Sequence, residues 1–224
     1  PIKPGSAGKA VTGYDIRIFG ENGQELGPNE EGYVVIKLPL PPGTLLDLWK
    51  DNERFKAGYL NKFPGYYFSG DGGFKDAEDY IFITGRVDDV INVAGHRLST
   101  AEMEEIVASH HSVAECAVIG INDELKGQIP LALVVAKSGE DIEHFQLQHE
   151  VVHLVREQIG AVASLRDVVI VQRLPKTRSG KILRKMMRSI ADGETFQVPS
   201  TIDDDAIIEE IRAVLQHDKI GSFK

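Results

Sequence analysis

Alternating apolar and polar positions dominate the first third of the chain. YDIRIFG at 14–20 and GYVVIK at 32–37 both alternate, and Asn22-Gly23 between them supplies positive φ, so residues 14–37 are predicted to form a β-hairpin. Pro39, Pro41, Pro42 and Gly43 then stop the strand. A short helix is expected around LWKDNERFKAGYL, followed by the aromatic strand YYFSG, the turn DGGFKDAED and the strand YIFIT. After Asp88 the pattern becomes mixed. VINV reads as a strand, AGHRL as a turn, and Ser99 to Glu102 has capping-box spacing at the start of a helix whose inner face carries Met103, Ile106, Val107 and His110. Strands at 113–119 and 131–136 follow, then a helix over 142–159 with Phe145, Val152, Val155 and Ile159 inward. Strand DVVIV, a helix with Ile182, Leu183, Met186, Met187 and Ile190, and a terminal helix within 203–217 complete the pattern. The predicted class is α+β, with a β-rich, barrel-like subdomain over 1–87 and a small mixed domain over 88–224.

At 224 residues and 42% apolar content, the chain can bury one good core or two smaller ones. A net charge of −9 argues against a surface built for nucleic acid. Local sign differs, because Lys176, Arg178, Lys181, Arg184, Lys185 and Arg188 form a basic island suited to a small anion or simply to a solvated helix face. The one cysteine, Cys116, leaves no disulfide framework and sits in AECAVIG, where a packed thiol is the expected role. LALVVA at 131–136, among the longest apolar runs, is too short to span a bilayer. Nothing near Pro1 reads as a signal or transit peptide, and a start without methionine in loop-like sequence reads as a piece of a longer protein.

Four stretches carry residue types suited to chemistry. In YFSGDGGF, glycines flank Asp71 and leave its carboxylate unobstructed, as a group accepting both hydroxyls of a ribose requires. A hairpin would bring Arg86 near it, although an ordinary cross-strand ion pair explains the same two residues. Asp88, between Val87 and Asp89, stands where the pattern changes and suits either a hinge or a rigid polar linker. In Ala94-Gly95-His96-Arg97 the glycine lets a thin ligand run against the backbone, and the arginine can meet a phosphate bidentately. In LPKTRSGKILRK, Lys181 offers a compact positive charge from a loop with Thr177, Ser179 and Gly180 that can swing.

Taken together, YYFSGDGGF, GRVDDVINVAGHRLST and LPKTRSGKILRK resemble the C-terminal portion of the AMP-forming acyl-CoA synthetases, most closely the short-chain acetate and propionate branch. The resemblance covers nearly the whole chain. It implies an acid–thiol ligase that uses ATP with Mg²⁺ and coenzyme A, with a mitochondrial matrix location or, alternatively, a cytosolic one. It also implies that Asp71 and Arg86 hold ribose, that Arg97 contacts nucleotide phosphate, and that Lys181 drives adenylation. By the same resemblance Gly95 lines the pantetheine tunnel, Ala94 touches CoA, Arg156 holds the 3′-phosphate of CoA, Asp88 is the hinge, and backbone carbonyls of Ala108, His110 and Val113 hold a structural Mg²⁺. The Ser/Thr/Gly-rich phosphate loop, the adenine segment and the acyl pocket of that family do not occur in these residues, so a missing N-terminal domain is the expected partner and the chain alone is expected not to adenylate.

HEVVH at 149–153 points elsewhere, because two histidines one helical turn apart with a glutamate suit a zinc protease. The extended form fails, since Arg156 and Ile159 occupy the positions of its glycine and third histidine. Histidines on a solvated helix face are the ordinary reading. A non-catalytic nucleotide- or CoA-binding module is the remaining alternative.

Overall fold

A computed structural model describes residues 2–139 and 142–224. They fall into two compact units, Pro1–Asp88 and Asp89–Lys224, and the α+β class is as expected.

In the first unit β1 (Ile16–Phe19), β2 (Gly32–Lys37), β3 (Tyr66–Lys75) and β4 (Ile81–Arg86) form an antiparallel sheet in the order β1-β2-β3-β4. Among the described residues β1 and β4 do not pair with each other, so the barrel-like part is not a closed barrel. Phe19, Val35 and Phe63 make its small core, with Tyr33, Tyr66 and Phe68 packed around them edge to face. Between β2 and β3 lie α1 (Asn52–Phe55), capped by Asp51, and one wide turn at Lys56–Leu60. Two local expectations are corrected. Asn22-Gly23 closes a side loop in which the Gly20 N–H donates to the Gln24 carbonyl, and a further stretch leads to β2. DGGFK is strand, not turn: β3 runs through it to Lys75, and the turn lies at Asp76–Tyr80, where the Asp76 N–H and Tyr80 carbonyl pair. Pairing with both β2 and β4 supplies hydrogen bonds that outweigh the weak strand propensity of the glycines.

The second unit is a sheet covered by helices on both faces. β7 (Val113–Asp123) and β8 (Gly127–Ala136) form a long antiparallel pair, and β9 (Asp167–Ile170) runs parallel to β8 along Leu131–Val134. β5 (Val90–Val93) meets β8 only at its start, through Val93 and Gly127, and pairs with β6 (His96–Ser99). Residues 117, 119 and 121 of β7 face α4 (Arg184–Ala191) and α5 (Ile207–His217), while 116 and 118 face α2 (Thr100–Ala108) and α3 (His144–Gln158). Burial on both faces explains why these strands read as continuous apolar runs. β6 extends through His96–Ser99, which confines the expected AGHRL turn to two residues. Ser99 caps α2 by accepting from the Glu102 N–H at 3.3 Å. In α3 the buried stripe is Leu147, Val151 and Val155, with Val152 and Ile159 at its margin, whereas Phe145 is 79% exposed, contrary to the predicted phase. His110 also lies beyond the helix end, in the turn before β7.

Candidate functional site

The first cluster grows from the β3–β4 register, which sets Asp71 directly opposite Arg86. Arg86 Nη1 donates to Asp71 Oδ1 at 3.3 Å and to the Ser69 carbonyl at 3.0 Å, and its Nε donates to Asp88 at 3.1 Å. Burial opposes the guanidinium charge, and Asp88 and Asp71 outweigh it, so its pKa is raised. Ser69 braces the pair: its hydroxyl donates to the Val34 carbonyl at 2.8 Å and accepts the Asp71 N–H at 3.0 Å. Gly70 has φ +79°, and a Cβ there would stand 2.5 Å from Arg86 Nη2, so only glycine lets the guanidinium lie against this backbone. Beside it is a cavity of about 180 Å³ lined by Leu48, Arg54, Gly58, Tyr59, Phe68, Ser69, Gly70 and Arg86. Arg54 and Tyr59 escaped the sequence reading, because no spacing rule links the α1 region to β4. Burial, with Tyr59 and Asp71 adding to it, raises the Tyr67 phenol above its ordinary range. Asp88 closes this unit within a 3₁₀ turn, Val87–Asp89, with its side chain 68% exposed.

In the second unit, Ala94 (φ +49°) and Gly95 (φ +88°) are the two central residues of the β5–β6 hairpin, the conformation of a type I′ turn. The Ala94 N–H donates to the Lys126 carbonyl at 2.8 Å, which anchors the turn. A Cβ on Gly95 would meet nothing within 4 Å, so the turn presents an open backbone surface. Arg97 is exposed on β6 opposite Asn92, and Arg156 is exposed in the last turn of α3.

Lys181 is exposed at the end of a loop more ordered than its composition suggested. The Thr177 N–H donates to the Lys181 carbonyl at 2.9 Å, the Lys181 N–H donates to Thr177 Oγ1 at 3.1 Å, and the Gly180 N–H donates to the Thr177 carbonyl at 2.8 Å. These bonds close the loop on itself around Thr177. The basic island is likewise divided. Lys176 is paired with Glu115 at 2.7 Å, and Arg184 grips Glu104 with two bonds of 2.9 and 2.7 Å, leaving Arg178, Lys181 and Lys185 as its exposed cations.

The HEVVH residues have other partners. Glu150 accepts from His110 Nε2 and from Gln146, both at 2.8 Å, and these bonds lower its pKa. His153 stands 3.6 Å from Glu157. Among the described residues no three His, Cys, Asp or Glu side chains are grouped to hold a metal. Ala108, His110 and Val113 lie at the α2–β7 connection, where the His110 carbonyl accepts the Val113 N–H at 3.0 Å and keeps a second lone pair. Cys116 is buried, its Sγ donates to the Glu104 carbonyl, and burial pushes its thiol up to about 11, so it is a packed thiol and not a nucleophile. No helix among the described residues is long and apolar enough to cross a membrane.

The family model for the AMP-binding enzyme C-terminal domain matches residues 102–181. An uncharacterized protein of Pseudomonas aeruginosa is 56% identical over 220 residues, which is 98% of this chain and 35% of that protein. The mitochondrial acyl-CoA synthetase short-chain family member 3 of Mus musculus is 49% identical over 213 residues, 95% of this chain and 31% of the relative. Among solved structures, ATP-bound MatB from Rhodopseudomonas palustris superposes with a TM-score of 0.70 at 27% identity, over 83% of this chain and 35% of that one. The chain thus spans about a third of the length of the relatives it matches. The two relatives match over 95% or more of the chain and the family model over residues 102–181 within its second unit, and the chain belongs to the AMP-forming acyl-CoA synthetase family, whose C-terminal domain it contains.

Proposed function

We propose that the enzyme of which this chain is part joins propionate or acetate to coenzyme A at the expense of ATP. A carboxylate oxygen attacks the α-phosphorus and pyrophosphate leaves. The CoA thiol, giving up its proton, then attacks the acyl carbonyl and AMP leaves. The observation that carries this reading is the register placing Asp71 opposite Arg86, because it holds a carboxylate against a cavity-lining arginine with its geometry fixed by Ser69 and Arg86. Asp71 accepts the ribose hydroxyls and Arg86 orients it. Arg97 meets nucleotide phosphate, and Lys181 places its charge where negative charge develops as the carboxylate attacks. Ala94 and Gly95 offer an open turn to pantetheine, and Arg156 takes the 3′-phosphate of CoA.

The closed loop around Lys181 implies that this residue moves with the whole unit after Asp88, not by itself. Asp88, exposed and at the end of the first unit, serves as the hinge. Mg²⁺ accompanies ATP. The carbonyls of Ala108, His110 and Val113 suit a second, structural Mg²⁺, since hard oxygen donors are what that ion takes, and the His110 imidazole is already engaged by Glu150 and the Ser112 N–H. A short-chain acid and a mitochondrial location are supported by the name of the mouse relative. The chain by itself should make no adenylate, because it lacks the phosphate loop and adenine segment of the family.

The test is a crossed pair of variants in the full-length enzyme. Lys181→Ala should lower carboxylate-dependent ATP–pyrophosphate exchange about a hundredfold or more and still convert supplied acyl-adenylate and CoA to thioester. Gly95→Leu should do the reverse, and Gly95→Ala, which shares the strain at φ +88° without the bulk, separates crowding from strain. If both variants lose the same half-reaction, the division of labour is wrong.

A further inference from the structure

The loop bearing Lys181 is bound on one side by a segment that lies outside the stretch matched by the family model, which ends at residue 181. Lys176 pairs with Ile182 across the loop, and Thr177 pairs on its other side with Ile202. Two backbone bonds complete that second pairing: the Arg178 N–H donates to the Thr201 carbonyl and the Asp203 N–H donates to the Lys176 carbonyl, each at 2.9 Å. Residues 176–178 are therefore the central strand of a three-strand miniature sheet, with the lysine loop closed on one edge and residues 201–203 on the other.

The outer strand is itself tied down. Ile202 packs against the core formed by β7, β8, β9, α4 and α5, and Asp204, two residues on, accepts from Arg173 at 2.8 Å and from the Ala206 N–H at 3.0 Å just before α5 begins. Arg173 also holds Glu210 of α5 at 2.5 Å. A continuous path of bonds thus runs from α5 through residues 201–204 to the backbone that carries Lys181.

We infer that residues 201–203 are a positioning strap for Lys181, holding its loop to α5 so that the charge arrives at the reacting phosphate in one geometry. The strap grips the loop through the Thr201 carbonyl and the Asp203 N–H, so the Asp203 side chain is dispensable, while Ile202 anchors the strap to the core. It rests on the proposed role of Lys181. A single cation must stand within about 1 Å of its productive place, because a misplacement of that size can cost on the order of a hundredfold in rate. Without the strap the loop would keep its internal bonds but could tilt as a body, carrying Lys181 away from that place.

Two proline variants break the strap at different bonds in the full-length enzyme. Asp203→Pro removes the amide bonded to Lys176, and Asp203→Ala keeps it. Arg178→Pro removes the amide bonded to Thr201 at a turn position where proline is well accommodated, because residues 177–180 close a tight turn and neither Arg178 nor Ser179 has positive φ; Arg178→Ala controls for the lost charge. Both proline variants should lower ATP–pyrophosphate exchange about tenfold or more while converting supplied acyl-adenylate and CoA at near the parental rate, and both alanine variants should stay near parental in both assays. Parental exchange in the proline variants, or equal loss of both half-reactions in both of them, overturns the strap. Lys181→Ala run alongside separates the two ideas, since normal exchange in that variant sinks the role of Lys181 itself and not merely its positioning.

Discussion

Replacing Glu104 tests what holds the second unit together beneath its proposed chemistry. Its carboxylate accepts two bonds from Arg184 and a third from the Val118 N–H at 2.8 Å, and the two charged side chains are 16% and 24% exposed. Glu104 therefore joins α2 to α4 across the edge of β7 and satisfies an edge amide that no strand reaches. Glu104→Ala strands a largely buried guanidinium and an amide at once. Breaking a buried pair costs about 3–5 kcal/mol, and the quarter of Arg184 that reaches solvent favours the low end; the orphaned amide adds about 1 kcal/mol. The expected loss is about 4 kcal/mol, or roughly a 14 °C fall in Tm for a unit of this size. Arg184→Met should cost less, about 2 kcal/mol, because Glu104 keeps the Val118 amide. The double variant Glu104→Gln with Arg184→Met, which leaves an acceptor for Val118 and no charge, should recover most of the loss. Urea denaturation followed by circular dichroism reads all three. A Glu104→Ala loss under about 1 kcal/mol, or a double variant as costly as the two singles combined, would refute the argument.

Arg156→Ala in the full-length enzyme should raise the KM for CoA about tenfold, in line with a charge-assisted contact of roughly 1.5–3 kcal/mol, and leave dephospho-CoA nearly unaffected; equal effects on both thiols would remove Arg156 from the site. Cys116 should make stability fall in alkaline solution. Burial raises its thiol to about 11, so the folded chain keeps a proton that the unfolded chain releases above about pH 8.5. Stability should be full below that pH and decline as pH approaches 11, by up to about 2–3 kcal/mol, and Cys116→Ala should flatten this part of the pH profile measured by denaturation.

Much of the architecture was legible because it is local. Strand alternation placed β1 and β2, the Ser99 cap placed the start of α2, and the apolar spacing of Met186, Met187 and Ile190 placed the inner face of α4. Each depends on residues within a turn or two of one another, where backbone geometry alone dictates which side chains share a face. The three motifs were legible for a similar reason, since each is one continuous stretch.

What tertiary structure decided is what depends on distant residues. Glycines 72 and 73 read as a turn, but hydrogen bonds to strands on both sides keep them in β3 and place Asp71 opposite Arg86. The phase of α3 followed the sheet it covers, so Leu147 went inward and Phe145 outward although both are apolar. The basic island looked uniform along the chain, yet Glu104, 80 residues before Arg184, turns that arginine into a structural post and leaves Lys181 exposed. The strap at 201–203 had no signature at all, because its bonds are made by backbone groups that every residue carries. Periodicity and motif spacing record which side chains neighbouring residues share, whereas ion pairs and edge pairing across long stretches of chain come into being only when folding brings those stretches together.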